Sequence, residues 1–527
     1  MRTHYRESQL FTSYSMKALS KNTVLYQFGE KENSSLIVRE GQALLIDCHS
    51  SNLGKELSRL ELPQPNTIIH THIQEEHTQE GNSFPKAITY IPEQLAIPAT
   101  DPKLFKEIIS QPWQDPEAWL ENFGRETFDI GGRPLVSLPP YALSQTKNIS
   151  AGQVIKWNGL ELEAFSLPGH GLYALGFVIK EKGAVLAYAS ADTLMKGARM
   201  PNHFDIQVNY SDNGIVAQRK VLTQLASLEQ KPFITSTGPL IENGPAEALE
   251  LVQKIDAYLE SITNHESSVN FTPMQDKEAF KGYIEVAKGI YQDTNFGNMV
   301  IFISDEGDGL IVDPGPCAYD LSPDERKKKF FHDLDTFERD FGLKQVSMAL
   351  LTHFHGDHID FAPYLEERYG AEVVTTIENA DIINHPSKYN FSCNLPWYGF
   401  GISEINISKS VKLEETFHWG ATAIIPVSLP THCQGHCGFL LHFGDEYVAC
   451  TGDAIQSRGS ESTDFNVIPS NGETRKGIEA FVRLEREAIT LNCGGHGSHF
   501  RQCKENYRDS IKKFTTSTPL FNALFFE

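Results

Sequence analysis

Residues 352–358 read THFHGDH, placing His353, His355, Asp357 and His358 within six positions directly after the apolar run Ala349–Leu351. Imidazole nitrogens and carboxylate oxygens at that density are metal donors. A tight turn after a strand fixes the backbone beneath them. Alternate residues of an extended segment share a face, which suits His353 and His355. Asp357 and His358 then turn toward a neighbouring position, so the segment can feed two metals. His432 in PTHCQGH, Asp453 in CTGDA and His496 in GGHG follow at later strand ends and complete both coordination shells. The donor set suits one or two Zn²⁺ ions, and Fe or Mn accepts the same ligands. Zinc would bring the pKa of a water to about 7 and polarise a carbonyl or phosphoryl oxygen.

A damaged copy, THIQEEH, stands at residues 71–77. Other paired signals follow in the same order. Strand, turn and strand ending in aspartate occur at 34–50 (Asp47) and 298–316 (Asp313). LPGHG answers LPTHC, the strands closing on Asp192 and Asp453 correspond, and STG answers GGHG. The shift between partners stays between 259 and 281 positions, which implies duplicated domains. The largest shift falls where the second half carries an extra polar segment, 318–345. The first half has a longer loop after its cluster, containing Trp113 and Trp119.

In the early copy His72, His77, His170 and Asp192 survive. Gln74 replaces the second histidine, Glu76 the aspartate, and Thr237 stands where His496 stands. A weaker site over His72, Glu76, His77, His170 and Asp192 is compatible with those donors, as is a scaffold that has lost catalysis.

The elements that must position these groups are α/β. A helical stripe over Ala248, Leu251, Ile255, Tyr258, Leu259 and Ile262, with Pro245 in its first turn, closes the first half. The polar stretch 264–276 reads as a linker and 503–514 as a closing helix. The expected domains are therefore 1–264 and 265–527. At 527 residues the chain exceeds one ordinary core. Its 40% hydrophobic and 22% charged residues describe a globular protein. The net charge of −22 argues against nucleic acid and anionic membranes as partners. Eight scattered cysteines and no signal-like or spanning apolar run point to a reducing cytoplasm, with a small molecule as substrate. Oligomeric state is not legible. Cys433 and Cys437 read as small buried residues, and the aromatics of 394–401 as a pocket wall or a surface cluster.

The ordered set of Asp313 in IVDPG, HFHGDH, His432, Asp453 and His496 resembles the metallo-β-lactamase superfamily. The resemblance implies two tandem αββα sandwich domains, the first degenerate and the second with intact metal motifs. It assigns His353, His355 and His432 to one metal, Asp357, His358 and His496 to a second, and Asp453 to a bridge. It makes Asp357 the group that orients the activated hydroxide and shuttles its proton. His436 would orient rather than ligate. The chain departs from the family at Thr431, where glycine is usual. It departs again at Ile359–Phe361, where the thioesterase branch has two glycines. The expected activity is hydrolysis of a small ester, thioester, lactone or phosphoester in the second domain. The alternatives are oxidation of a thiol or persulfide at one iron on His353, His432 and Asp453, and metal or ligand binding without turnover.

Overall fold

The computed structural model describes residues 14–29, 32–49, 52–104, 141–171, 173–201, 214–263, 277–294, 298–315, 321–385, 405–455, 474–496 and 499–525. Trp113, Trp119, the linker 264–276, the aromatic segment 394–401 and the Glu76 side chain lie outside what is described. The chain divides into two compact units. Glu260–Pro519 forms one, and the segment from Leu520 onward groups with the residues before Glu260.

In the C-terminal unit, eight strands follow one another across the first sheet in chain order. They are Lys277–Phe280, Tyr283–Ala287, Ile290–Asp293, Val300–Ile303, Asp308–Val312, Gln345–Leu350, Glu372–Thr376 and Lys409–Val411. The first five pair antiparallel through short turns. The last three join in parallel, which requires crossovers. The helices Pro323–Asp340, Ala362–Tyr369 and Ile377–Asn384 lie in those crossovers. The second sheet runs Phe417–Trp419, Thr422–Ser428, Cys437–Phe443, Glu446–Gly452, Leu491–Gly494, His499–Phe500.

Burial explains the layering. Val300, Phe302, Leu310, Val312, Met348 and Leu350 of the first sheet meet Ile424, Phe439, Leu441, Val448 and Leu491 of the second in one core. The opposite face of the first sheet packs Ile301, Ile311 and Ala349 against Phe330, Leu334 and Phe337 of the helix Pro323–Asp340. The outer face of the second packs Leu440 and Ala449 against Phe481, Leu484, Tyr507 and Phe514. Two sheets with helices outside each face are the result.

The helix Pro323–Asp340 lies in the segment read from sequence only as polar. Ser322 caps it: its hydroxyl accepts from Glu325 N–H while the Glu325 carboxylate accepts from Ser322 N–H, with Pro323 in the first turn. Asp324, Glu325, Lys328, Lys329, His332, Asp335, Arg339 and Asp340 form its outer face, while Arg326, Asp333 and Thr336 are buried.

The N-terminal unit holds a seven-stranded sheet in the order Tyr14–Ser20, Thr23–Phe28, Ser34–Arg39, Gln42–Ile46, Pro65–Ile69, Ile88–Pro92, Thr146–Ile149. Its five-stranded sheet places Phe233–Thr235, Ala184–Ala191, Leu175–Glu181, Leu160–Ser166 and Val154–Trp157 side by side. Ile37, Leu44 and Ile46 of the first meet Leu162, Phe177, Ile179 and Ala187 of the second. The helix Gly244–Thr263 buries Ala248, Leu251, Ile255 and Tyr258. The last helix, Cys503–Ala523, runs beyond the expected 503–514, and Leu524 beyond it accepts a hydrogen bond from Met200 N–H at 2.7 Å. Among the described residues no helix is long and apolar enough to cross a membrane.

Phe439 has no exposed surface at the centre of the inter-sheet core. Phe439→Ala should therefore destabilise the C-terminal unit by about 3–5 kcal/mol, read as a lower denaturation midpoint for that unit.

Candidate metal centre

The site of the C-terminal unit is assembled from strand ends. The strand Gln345–Leu350 leads into Thr352, and His355 is still extended (φ −65°, ψ 140°) before the single turn Gly356–Ile359. His353 and His355 therefore leave the strand side by side, with ring centroids 4.4 Å apart. The turn carries Asp357 and His358 toward a second position. His432 arrives after Thr422–Ser428, Asp453 after Glu446–Gly452, and His496 after Leu491–Gly494.

Two donor groups result, and Asp453 lies between them. His432 Nε2 stands 3.0 Å from His355 Nδ1, and the His353 ring centroid is 4.9 Å from that of His432. Asp357, His358 and His496 offer donor atoms all within 4.8 Å of one another. Asp453 Oδ2 is 3.1 Å from His496 Nε2 and 3.5 Å from His432 Nε2, while Oδ1 is 3.2 Å from His358 Nε2. All seven sequence-predicted residues thus come together. Cys433 joins the first group within 4.8 Å, although it also packs against Phe354 and Ile382.

The surrounding hydrogen bonds decide which nitrogen faces inward. Asp313 adopts a left-handed backbone (φ 51°), uncommon for a non-glycine residue. Its carboxylate accepts from Thr352 N–H and Thr352 Oγ1, both at 2.7 Å, and from His358 Nδ1 at 3.0 Å. Thr352 Oγ1, having given its proton to Asp313, accepts from His353 Nδ1 at 3.0 Å. Both rings are thereby held with Nε2 pointing into the cluster, and His353 Nε2 is left unprotonated. His353 Nε2, His358 Nε2 and Asp453 Oδ1 are buried there without a hydrogen bond. His358 Nε2 and Asp453 Oδ1 face each other at 3.2 Å as an ion pair, and with His353 Nε2 beside them this donor set fits divalent cations.

Sequence reading missed Asn298. Its Nδ2 donates to Asp357 O at 2.9 Å and to Asp357 Oδ2 at 3.0 Å, and its Oδ1 accepts from His496 N–H at 2.6 Å. One amide therefore positions two predicted ligands, but its only sequence signal is a polar residue beside a strand. His436 donates from Nδ1 to Leu429 O at 2.9 Å and accepts from Asp453 N–H at 3.2 Å, so it holds backbone. Thr431 is buried and its backbone is not left-handed. Gly495 is required by space: a Cβ there would stand 1.9 Å from Asp453 Oδ1.

Electrostatics follow the same layout. Burial drives the His355, His432 and His436 imidazoles down to about 3, and His353 well below its ordinary value. Burial alone would lower His358 too, but Asp453, Asp357 and Asp313 raise it well above the usual range. Burial would raise Asp453, but His496 and His358 hold it well below the ordinary carboxylate value.

In the N-terminal unit, Asp47 (φ 55°) accepts from Thr71 N–H at 2.9 Å, Thr71 Oγ1 at 2.8 Å and Ser236 Oγ at 2.5 Å. Thr71 Oγ1 meets His72 Nδ1 at 2.9 Å. Asp192 accepts from Thr237 Oγ1 at 2.7 Å, and its Oδ2 lies 2.9 Å from His77 Nε2. Gln74 Oε1 lies 3.3 Å from His72 Nε2 and 3.0 Å from His170 Nε2. His72, His77, His170 and Asp192 converge. The Glu76 side chain is outside the description.

Two outcomes test this geometry. Asp313→Ala removes the acceptor that orients His353 and His358 without removing a donor. It should weaken metal binding about 10- to 100-fold in chelator competition. In the metal-stripped chain, His353, His355, His432 and His436 stay neutral below 6.5, where their unfolded counterparts take up protons. The unfolded state then binds more protons at these four sites, while His358 and Asp360, whose carboxyl burial pushes up to about 7, oppose this. Stability of the stripped C-terminal unit should fall as pH drops from about 6.5 toward 3, followed by thermal melts.

Comparison with known proteins finds a family match in one half of the chain. Residues 293–518 match the family model described as Metallo-beta-lactamase superfamily. The chain is 28% identical over 224 residues to hydroxyacylglutathione hydrolase GloC of Haemophilus influenzae, covering 38% of this chain and 86% of that protein. It is 27% identical over 150 residues to hydroxyacylglutathione hydrolase of Acidiphilium cryptum, covering 28% of this chain and 50% of that protein. A metallo-beta-lactamase family protein from Thermus thermophilus aligns at 21% identity and TM-score 0.33, over 47% of this chain and 83% of that one. Residues 293–518 therefore form a metallo-beta-lactamase superfamily domain, and the chain is distantly related to hydroxyacylglutathione hydrolases.

Proposed function

We propose that the C-terminal unit is a metal-dependent hydrolase of a small-molecule thioester or related acyl ester, with zinc as the metal. The observation that carries this reading is the buried convergence of His353 Nε2, His358 Nε2 and Asp453 Oδ1, none of them hydrogen-bonded. The names of the two hydroxyacylglutathione hydrolases to which the chain is similar favour a thioester among the acyl substrates.

His353, His355 and His432 would hold one ion and Asp357, His358 and His496 a second, with Asp453 shared. Ions of this class acidify water to a pKa of about 7 and polarise an acyl oxygen. This chain's residues do the rest. Asn298 aims the Asp357 carboxylate into the cluster, where it orients water and carries a proton toward the leaving group. Asp313 and Thr352 keep the ligand tautomers fixed while charge develops. The competing iron-oxidase reading needs only His353, His432 and Asp453. It leaves His355, His358, His496 and Asn298 without a task.

We further propose that the N-terminal unit is a degenerate copy of the same fold. Each unit runs its first sheet in chain order from antiparallel to parallel pairing, and the Asp47–Thr71–His72 contacts match those of Asp313–Thr352–His353. Catalysis belongs to the C-terminal unit, with a small molecule as partner and the cytoplasm as compartment.

The test is thioester hydrolysis by the zinc-loaded chain with metal content measured alongside. Asp453→Asn and His353→Ala should lose zinc and turnover together while the fold persists. Asp357→Asn should lower kcat by about 10²–10⁴-fold, and His72→Ala should leave most activity. Full turnover in Asp453→Asn at limiting zinc, or greater damage from His72→Ala than from His353→Ala, would overturn the assignment.

A further inference from the structure

The first donor group of the C-terminal unit contains a sulfur. Cys433 stands with His353, His355 and His432, and one donor atom from each of the four lies within 4.8 Å of every other. From sequence Cys433 reads as a small buried residue, and it is buried against Phe354 and Ile382. Apolar packing alone gives no reason for its sulfur to stand among imidazole nitrogens.

The local backbone sets that position. After the strand Thr422–Ser428 the segment 429–436 closes on itself. Leu429 N–H donates to His436 O at 3.1 Å, Thr431 N–H to Leu429 O at 2.7 Å and His436 N–H to Cys433 O at 3.3 Å. Gly435, left-handed at φ 73°, backs onto the helix Ile377–Asn384, where a Cβ would come within 3.0 Å of Ile382 Cδ1. The neighbours His432 and Cys433 therefore sit on a fixed turn, and both present a donor atom to one group.

A separate observation marks this group as a cation's place. His353 Nε2 has no exposed surface and no hydrogen bond, and the Thr352 contact leaves it as a lone pair. A buried lone pair among other electron-pair donors is costly unless a cation shares it. Three imidazoles leave zinc one short of the four protein ligands of a closed site, and a thiolate completes them. Thiolate is also the soft donor that suits zinc better than manganese. Asp453 leans away from this group: its carboxylate lies 3.1 Å from His496 Nε2 and 3.2 Å from His358 Nε2, but 3.5 Å from His432 Nε2.

Building on the two-ion reading of this unit, we propose that Cys433 Sγ is a protein ligand of the ion held by His353, His355 and His432. That ion is then closed and soft, and the open position needed for hydrolysis belongs to the ion at Asp357, His358 and His496. As the sulfur–metal bond forms, the S–H bond breaks and the proton leaves to solvent.

The experiment uses the full chain, stripped with chelator and reloaded with cobalt alone or zinc alone. The cobalt-loaded chain should show a sulfur-to-cobalt charge-transfer band in the near ultraviolet. Zinc-edge X-ray absorption should require a sulfur at about 2.3 Å. Cys433→Ser and Cys433→Ala should each abolish both signals and weaken metal binding by at least about tenfold in chelator competition. Once stripped of metal, both variants should melt with the stripped unsubstituted chain. Cys437→Ser, which keeps a donor for Thr352 O, should retain the band. No band in the unsubstituted cobalt-loaded chain, or a band that persists in both Cys433 variants, would overturn the proposal and leave Cys433 as packing. These signals are read without turnover. Thioester hydrolysis with bound metal but no band sinks the sulfur ligand alone, whereas the band without hydrolysis sinks the proposed substrate alone.

Discussion

The carboxylate of Asp313 is the constraint on which the C-terminal site depends. It ends the strand Asp308–Val312 in a left-handed conformation and accepts three hydrogen bonds from residues of the cluster loop. Two orient histidine rings, one directly and one through Thr352 Oγ1. A single carboxylate therefore ties two neighbouring parallel strands together and sets two tautomers. Left-handed backbone costs about 1–3 kcal/mol in a non-glycine residue and persists where its surroundings over-determine it. Here the three accepted bonds do so. The same device recurs at Asp47, also left-handed, with Ser236 in the place that His358 takes on Asp313.

The two clusters solve one problem differently. Histidines and an aspartate packed without water are unfavourable unless every lone pair and proton finds a partner. In the C-terminal unit, His353 Nε2, His358 Nε2 and Asp453 Oδ1 make no hydrogen bond, and Gly495 leaves no room for a side chain over Asp453. In the N-terminal unit, Thr237 donates to Asp192, and the longer Gln74 reaches across to two rings where His355 stands in the other half. Thr237 and Gln74 thus place hydrogen bonds around Asp192, His72 and His170 where the C-terminal cluster has further imidazoles.

Much of this was legible in the sequence because strand-end ligands are local. The strand–turn–strand runs appear where predicted, and THFHGDH leaves its strand with His353 and His355 side by side. What escaped depends on contacts between distant segments. Asn298 works only because the fold brings residue 298 to residues 357 and 496. The helix Pro323–Asp340 was hidden because charge dominates its composition, although Phe330, Leu334 and Phe337 recur at helical spacing. The closing helix, expected over 503–514, continues through the polar run Thr515–Thr518 and Pro519 to Ala523.

The origin of the ligands explains why metal and fold should be linked in the C-terminal unit. His353, His355, Asp357 and His358 hang from the first sheet, while His432, Asp453 and His496 hang from the second. Cations held by both sets cross-link the sandwich at one edge, beside the core that joins the same sheets through Phe302, Phe439 and Val448. Binding energy gained only when both sheets are in place stabilises the folded state. The hydrogen bond from Cys437 N–H to Thr352 O, at 2.9 Å, holds that edge from within the protein. Stability and metal affinity are therefore two readings of one geometry, the separation of the sheets at the Asp313–Thr352 corner.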